Sequence, residues 1–103
     1  MRMANRKRDN SDLKSIPGIG KNIEQHLHHI GIETIEDLKG KDPEELYIKD
    51  CLFKGFQEDR CILYVFRLAV YYAEHESPEP EKLKWWYWKD KAYTPQVNNS
   101  KFF

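Results

Sequence analysis

The stretch Ile16-Pro17-Gly18-Ile19-Gly20-Lys21 decides the fold, because it places a proline–glycine turn and a second glycine directly before an amphipathic helix. Pro17 sets φ at the first corner of a type II turn, and Gly18 supplies the positive φ that the second corner requires. Gly20 leaves no side chain in front of the helix. We therefore predict that the backbone amides of residues 20–22 are unpaired at the positive end of a helix dipole, where a phosphate binds.

A helical pattern continues on both sides of this turn. After it, apolar residues recur three and four positions apart, which predicts a helix over 21–30 that Gly31 ends. Before it, Ser11 is the predicted N-cap of a short helix over 12–15. The turn is thus expected to join two helices that bury one face each.

Three further helices are predicted in the middle of the chain. Thr34 caps a short one, with Asp37 in a near capping-box pattern. The pair Asp42-Pro43 starts another, which runs to about Asp50. The longest runs from about residue 57 to 75 and is apolar nearly all round, as is typical of a central core helix.

The segment Phe53-Lys54-Gly55-Phe56 before the long helix resembles a weaker copy of the first turn. It lacks the second glycine, and the acids Glu58 and Asp59 follow it. We therefore interpret it as a second, degenerate hairpin, which argues against a second phosphate site.

A polar stripe is predicted along the long helix, where polar side chains alternate by three and four at Arg60, Tyr64, Arg67, Tyr71 and Glu74. We expect an ordinary solvated edge in which Arg67 contacts Glu74 or Tyr71, and a phosphate-binding ridge is the alternative.

A last helix is predicted from Glu81 to Lys89. Its three tryptophans, Trp85, Trp86 and Trp88, cannot all face one way, so at least one should be partly exposed, against a loop or a partner.

Composition indicates one domain over residues 11–90, with a basic flexible arm at 1–10 and a tail at 91–103, because 40% of the 103 residues are hydrophobic. The longest apolar run, 61–73, is too short for a membrane span of about 20 residues, so a cytoplasmic protein without membrane contact is expected. Net charge is zero, but residues 1–31 hold six basic side chains against three acids. The glycine turn therefore lies in a basic part of the chain.

Neither metal nor catalytic chemistry is predicted. Cys51 and Cys61 are expected to be reduced and buried, since two cysteines make no disulfide framework. The four histidines show no zinc-binding spacing and are predicted to lie on the surface: His26, His28, His29 and His75. No residues form a recognisable nucleophile or acid–base pattern, so we expect a non-enzymatic protein without a cofactor.

The helix, Ile-Pro-Gly-Ile-Gly and second helix over residues 12–31 resemble the helix-hairpin-helix motif of DNA repair and recombination proteins. The wider pattern over residues 12–90, with Leu13–Lys21, Asp37–Tyr47, Asp59–Arg67 and Leu83–Trp86, is similar to a bacterial helix-hairpin-helix family labelled pathogenicity-locus or mitomycin-resistance protein. The first half is also similar to the C-terminal domain of TfoX-type competence regulators. The resemblance implies an all-α fold of five to six short helices, with tandem helix-hairpin-helix motifs around one long central helix.

The resemblance also implies a function. In such proteins the amides of the turn contact DNA phosphates and its carbonyls hold a monovalent cation. Carried onto this chain, the DNA-binding residues are Pro17, Gly18, Ile19, Gly20, Lys21, Asn22 and Lys14, and the carbonyls of Lys14, Ile16 and Ile19 could cradle the ion. Such contacts would be weak and independent of DNA sequence. The alternative is a protein-interaction or dimerisation module that uses the helical scaffold and the tryptophan-rich C-terminal helix.

Overall fold

The computed structural model describes residues 12–93, and all the regular secondary structure in this part of the chain is helical. Its α-helices are α1 (Lys21–His29), α2 (Ile35–Leu38), α3 (Pro43–Lys54) and α4 (Arg60–Glu74). Short 3₁₀ helices cover Leu13–Ser15, Pro80–Leu83 and Trp85–Trp88. The predicted arm at 1–10, the predicted cap Ser11 and the tail beyond residue 93 lie outside the described residues.

The predicted start signals of α2 and α3 are confirmed. Thr34 and Asp37 form a capping box at α2, in which the Asp37 carboxylate accepts the Thr34 amide at 3.2 Å. The Asp42 carboxylate accepts the Glu44 amide at 3.0 Å, with Pro43 in the first turn of α3. Local side-chain chemistry therefore sets where these helices begin.

The core is built around α4, as the sequence predicts. Leu63, Phe66, Leu68, Ala69 and Val70 are all fully buried in it. The other helices pack against this axis, and α3, α2 and the last 3₁₀ helix make its most extensive contacts. Buried apolar side chains from the N-terminal half complete the same cluster: Leu13, Ile16, Ile19, Leu27, Ile32, Leu38, Leu46 and Tyr47.

Two predicted helix boundaries in the middle of the chain are wrong by about one turn. The helix α3 continues past Asp50 to Lys54, where Gly55 ends it with φ of 88°. The helix α4 starts at Arg60 rather than near Gln57, because the Asp59 carboxylate caps it by accepting the Cys61 amide at 2.9 Å.

The predicted helix from Glu81 to Lys89 is wrong, since this segment forms two 3₁₀ helices separated by an extended Lys84. The Trp88 side chain is buried, and its indole N–H donates to the Lys82 carbonyl at 2.9 Å. In an α-helix that carbonyl would accept the Trp86 amide instead. The indole of the buried Trp88 and an α-helical backbone would therefore compete for the same Lys82 carbonyl. Trp86 is 57% exposed, which confirms the expectation that at least one tryptophan is partly exposed.

The polar stripe of α4 is only partly the solvated edge that the sequence predicts, since Arg60 is exposed and Tyr64 and Glu74 are half-buried. Arg67 and Tyr71 are buried. The Arg67 guanidinium donates to the Glu44 carboxylate at 2.6 Å and to the Trp88 carbonyl at 2.7 Å, while the Glu74 carboxylate accepts from the Gly40 amide and the Tyr93 hydroxyl. The reason is tertiary, because the segment carrying the tryptophans folds back over the stripe, with Trp88 against Tyr71 at 5.4 Å between ring centroids.

In the part of the chain that the structure describes, no helix combines the length and the apolar character needed to cross a bilayer.

Candidate nucleic-acid interface

The turn at residues 16–20 has the predicted geometry. The Ile19 amide donates to the Ile16 carbonyl at 3.0 Å, and Gly18 has φ of 90°, as a type II turn requires. Pro17 and Gly18 are exposed, whereas the side chains of Ile16 and Ile19 are buried. The buried side chains of Ile16 and Ile19 thus attach this exposed loop to the core.

The helix α1 begins directly behind this turn without a side-chain cap among the described residues. The Glu24 amide donates to the Gly20 carbonyl at 2.9 Å, which makes Gly20 the N-cap residue. Gly20, Lys21 and Asn22 are all exposed. The first residues of α1 are therefore exposed at the positive end of the helix dipole.

Two lysines flank the turn. Lys14, in the first 3₁₀ helix, and Lys21, at the start of α1, are both exposed. The acid in the first turn of α1 is Glu24, which is half-buried. The nearby Asp12 carboxylate is engaged elsewhere, since it accepts the Ile35 amide of α2 at 2.8 Å. Two exposed lysines thus lie on either side of the turn, and the acids Asp12 and Glu24 balance their charge in number.

The structure brings most of the predicted DNA-binding residues to one continuous exposed loop, namely Pro17, Gly18, Gly20, Lys21 and Asn22, with Lys14 nearby in sequence and also exposed. Ile19 differs, because its side chain is in the core and only its backbone remains available. Of the carbonyls predicted to hold a monovalent cation, that of Ile16 already accepts the Ile19 amide. The cation site therefore stays a prediction.

The second turn differs from the first. Phe53 and Lys54 belong to the last turn of α3, and Gly55 ends that helix. The Phe56 amide donates back to the Cys51 carbonyl at 3.2 Å. At the start of α4 the Asp59 carboxylate accepts backbone and side-chain hydrogen bonds from Cys61, which lowers the pKa of Asp59. An anion would meet a carboxylate there, so this helix start is unsuited to phosphate.

A buried cluster of titratable side chains joins α1, α3 and the connection before α4, and the sequence analysis missed it. His26 is buried, so the prediction that all four histidines lie on the surface is wrong. Its Nδ1 lies 2.6 Å from Asp50 Oδ2 and 3.6 Å from Glu58 Oε2. The signal in the sequence was Asp50 itself, an acid four residues after Leu46 on the buried face of α3.

Burial dominates the electrostatics of this cluster. Burial, which desolvates the charged form, and secondly the neighbouring Asp50 together raise the pKa of Glu58 to about 7. Among the described residues, Asp50 Oδ1 and Glu58 Oε2 are buried without a hydrogen-bond partner. One nitrogen and two carboxylates thus lie together, with ligand atoms within 4.8 Å of one another, and these atom types can hold a metal ion.

An exposed apolar patch lies on the outer face of α3 and the turn after it. Ile48, Leu52, Phe53 and Phe56 are 56–76% exposed. Ile48 and Leu52 are four residues apart and share one face of the helix, whereas Phe53 and Phe56 lie at its C-terminal end and in the turn after it. His29, at the end of α1, stacks on Phe53 with 4.5 Å between ring centroids. Clustered apolar side chains of this kind mark surfaces that associate with other molecules.

The two cysteines are free, as expected, but both are only half-buried.

Comparison with known proteins identifies a matching family and a similar protein. The family model Cdd1, described as "Pathogenicity locus", matches residues 6–93. The chain is also similar to the mitomycin resistance protein McrB of Streptomyces lavendulae, with 33% identity over 88 residues, which cover 85% of this chain and 75% of that protein. No solved structure is a significant match.

Proposed function

The chain belongs to the pathogenicity-locus family. We propose that it is a small non-enzymatic module that binds the phosphate backbone of DNA. The exposed, uncapped start of α1 behind the Pro17-Gly18 turn is the observation that carries the proposal. Its amides would donate to one phosphate, and the side chains of Lys14 and Lys21 would add charge. A protein with this role would work in the cytoplasm of a bacterium.

The loop supplies no group that reads a base edge, so the proposed binding is independent of DNA sequence. A loop that neutralises about two phosphates should lose roughly tenfold in affinity between 50 and 200 mM salt, far less than proteins with many phosphate contacts. Useful affinity would then require a second set of contacts, from another copy of the loop or from a protein partner.

The substitution Gly20→Asp gives a test in which stability and binding change in opposite directions. The space beside Gly20 is open, and its φ of −99° suits any residue. An aspartate there would cap α1 and raise the free energy of unfolding by a few tenths of a kcal/mol. The same carboxylate would occupy the amides and repel phosphate, so we expect duplex affinity to fall at least ~10-fold, as when about 1.4 kcal/mol is lost. Fluorescence polarisation at 50 mM salt and urea unfolding would measure the two effects.

Two further variants complete this experiment. Lys21→Glu should weaken binding in the same way, whereas Lys89→Glu makes the same charge change at an exposed lysine outside the loop and should have a much smaller effect. Equal DNA affinity for wild type and a folded Gly20→Asp protein would reject the proposal.

The apolar patch of α3 favours a second function, self-association. The exposed side chains of Ile48 and Leu52 share one face of α3, so two copies of α3 packed antiparallel would bury them against each other. The patch lies at the C-terminal end of α1, about 13 Å from its start at a rise of 1.5 Å per residue, so a dimer would leave both DNA-binding loops free.

Light scattering of the purified protein tests self-association directly. We expect a dimer at micromolar concentration and a monomer for Leu52→Glu, since the charge would be buried at the centre of the interface. Trp86→Glu replaces an exposed aromatic side chain outside the patch and should leave the dimer intact. A wild-type protein that is monomeric at 100-fold higher concentration would contradict this function.

A further inference from the structure

Three segments that are distant in sequence meet at the cluster of His26, Asp50 and Glu58. His26 comes from the buried side of α1, Asp50 from the buried side of α3, and Glu58 from the connection between α3 and α4. The Tyr47 hydroxyl donates to the Glu58 carbonyl, and the Glu58 amide donates to Cys51 Sγ at 3.3 Å. Both the carbonyl and the amide of Glu58 are therefore bonded to side chains of α3, which fixes the position of Glu58 beside the cluster.

Acidic side chains outnumber basic ones in the cluster. Two carboxylates lie beside one imidazole, and the three side chains are 7%, 0% and 7% exposed. One oxygen of each carboxylate has no hydrogen-bond partner among residues 12–93. Buried carboxylate oxygens need a proton or a cation, because an unpaired charge is strongly disfavoured away from water.

We propose that His26 Nδ1, Asp50 and Glu58 bind one divalent transition-metal ion, with Zn²⁺ as the ion best suited to them. Zinc binds imidazole nitrogen and carboxylate oxygen at about 2.0–2.2 Å, and sites with three protein ligands leave a fourth position for water. Tetrahedral ligands at that distance are roughly 3.4 Å apart. The Nδ1–Glu58 distance of 3.6 Å fits this value, and the ion would replace the 2.6 Å hydrogen bond to Asp50.

The donor set selects the class of ion. An imidazole ligand disfavours Mg²⁺ and Ca²⁺, which prefer oxygen, and favours Zn²⁺ and its neighbours in the first transition row. Glu58 is the ligand closest in sequence to solvent-exposed residues, since Gln57 and Asp59 on either side of it are exposed. This proposal replaces the expectation of no metal site, which rested on sequence spacing alone; no short motif can reveal ligands 24 residues apart.

Metal titration of the full chain tests the site. The purified protein is stripped with a chelator and titrated with ZnCl₂, MnCl₂ and MgCl₂ by calorimetry, and bound metal is counted by mass spectrometry after desalting. We expect one Zn²⁺ per chain, weaker Mn²⁺ binding and none for Mg²⁺, with a rise in the midpoint of thermal unfolding when Zn²⁺ is bound.

Matched variants separate this site from other donors. Glu58→Gln keeps the shape and both cysteines, and should lower Zn²⁺ affinity at least ~10-fold, since even the loss of an outer-shell partner does so. His29→Gln removes an exposed imidazole from the same helix and should bind zinc like the wild type. If His26→Gln does not fold, Glu58→Gln still decides the matter. Equal zinc affinity in wild type and Glu58→Gln, or no zinc retained by the wild type, would overturn the proposal.

Discussion

Replacing Leu68 with alanine is expected to lower the free energy of unfolding by about 2–5 kcal/mol, the range for a buried leucine whose truncation leaves a cavity in the core. Leu68 is fully buried in the middle of α4. Its Cδ1 atom lies 3.9 Å from the point where a Cβ at Gly18 would be, so this side chain supports the loop from below. Urea unfolding followed by far-ultraviolet circular dichroism would measure the loss.

Leu63→Ala is the matched control for Leu68→Ala. Leu63 is equally buried and lies five residues earlier in the same helix. Both variants should lose stability to a similar extent, but only Leu68→Ala removes support from the loop, so it should weaken DNA binding further at temperatures where both proteins are folded. A loss below about 1 kcal/mol for Leu68→Ala would show that the core closes around the cavity more completely than in most proteins.

Replacing Arg67 with methionine is expected to cost about 2 kcal/mol of stability. The guanidinium joins three parts of the fold, because it lies on α4 and donates to Glu44 of α3 and to the Trp88 carbonyl of the last 3₁₀ helix. Removing one member of a fully buried ion pair costs about 3–5 kcal/mol, but the Glu44 side chain is 46% exposed and water can solvate it. Thermal unfolding by calorimetry and tryptophan fluorescence would measure the effect and the release of Trp88.

Glu44→Gln separates the two contacts of Arg67. It removes the ion pair and keeps the hydrogen bond to Trp88, so the cost should be about 1 kcal/mol and the fluorescence of Trp88 should change little. In a double-mutant cycle the two substitutions should show a coupling energy of roughly 0.5–1 kcal/mol. Strictly additive effects would mean that the pair contributes no net stability.

The first hairpin could be predicted from sequence almost completely, since its geometry depends on neighbours in the chain. Pro17 and Gly18 fix the turn through their own φ preferences, and the capping side chains Thr34, Asp37 and Asp42 act on amides two or three residues away. The predicted end of α3 near Asp50 is about one turn too early. No residue between Asp50 and Gly55 breaks a helix, so α3 continues to Lys54. Boundaries are thus predictable where a local signal stops the helix.

In the predicted binding site, too, some features follow from the local sequence and others depend on tertiary packing. Exposure of Gly20, Lys21 and Asn22 follows from the turn, whereas burial of Ile19 depends on the core beneath it. The cluster around His26 could not be predicted, because His26 and Asp50 are 24 residues apart and their helices are brought together only by packing. The one local sequence signal for such a cluster is an acidic residue on the buried face of a predicted helix.

The sequence by itself determined an all-helical chain, a long apolar helix as its axis, and a type II turn that leaves the start of α1 uncapped. These features follow from apolar spacing, cap residues and glycine conformations, all of which act within a few residues. Only the tertiary structure decided that the tryptophan segment folds back over α4, that Arg67 becomes buried, and that His26, Asp50 and Glu58 meet. Those outcomes depend on which surfaces lie against one another, and that depends on the packing of the whole core rather than on any one segment.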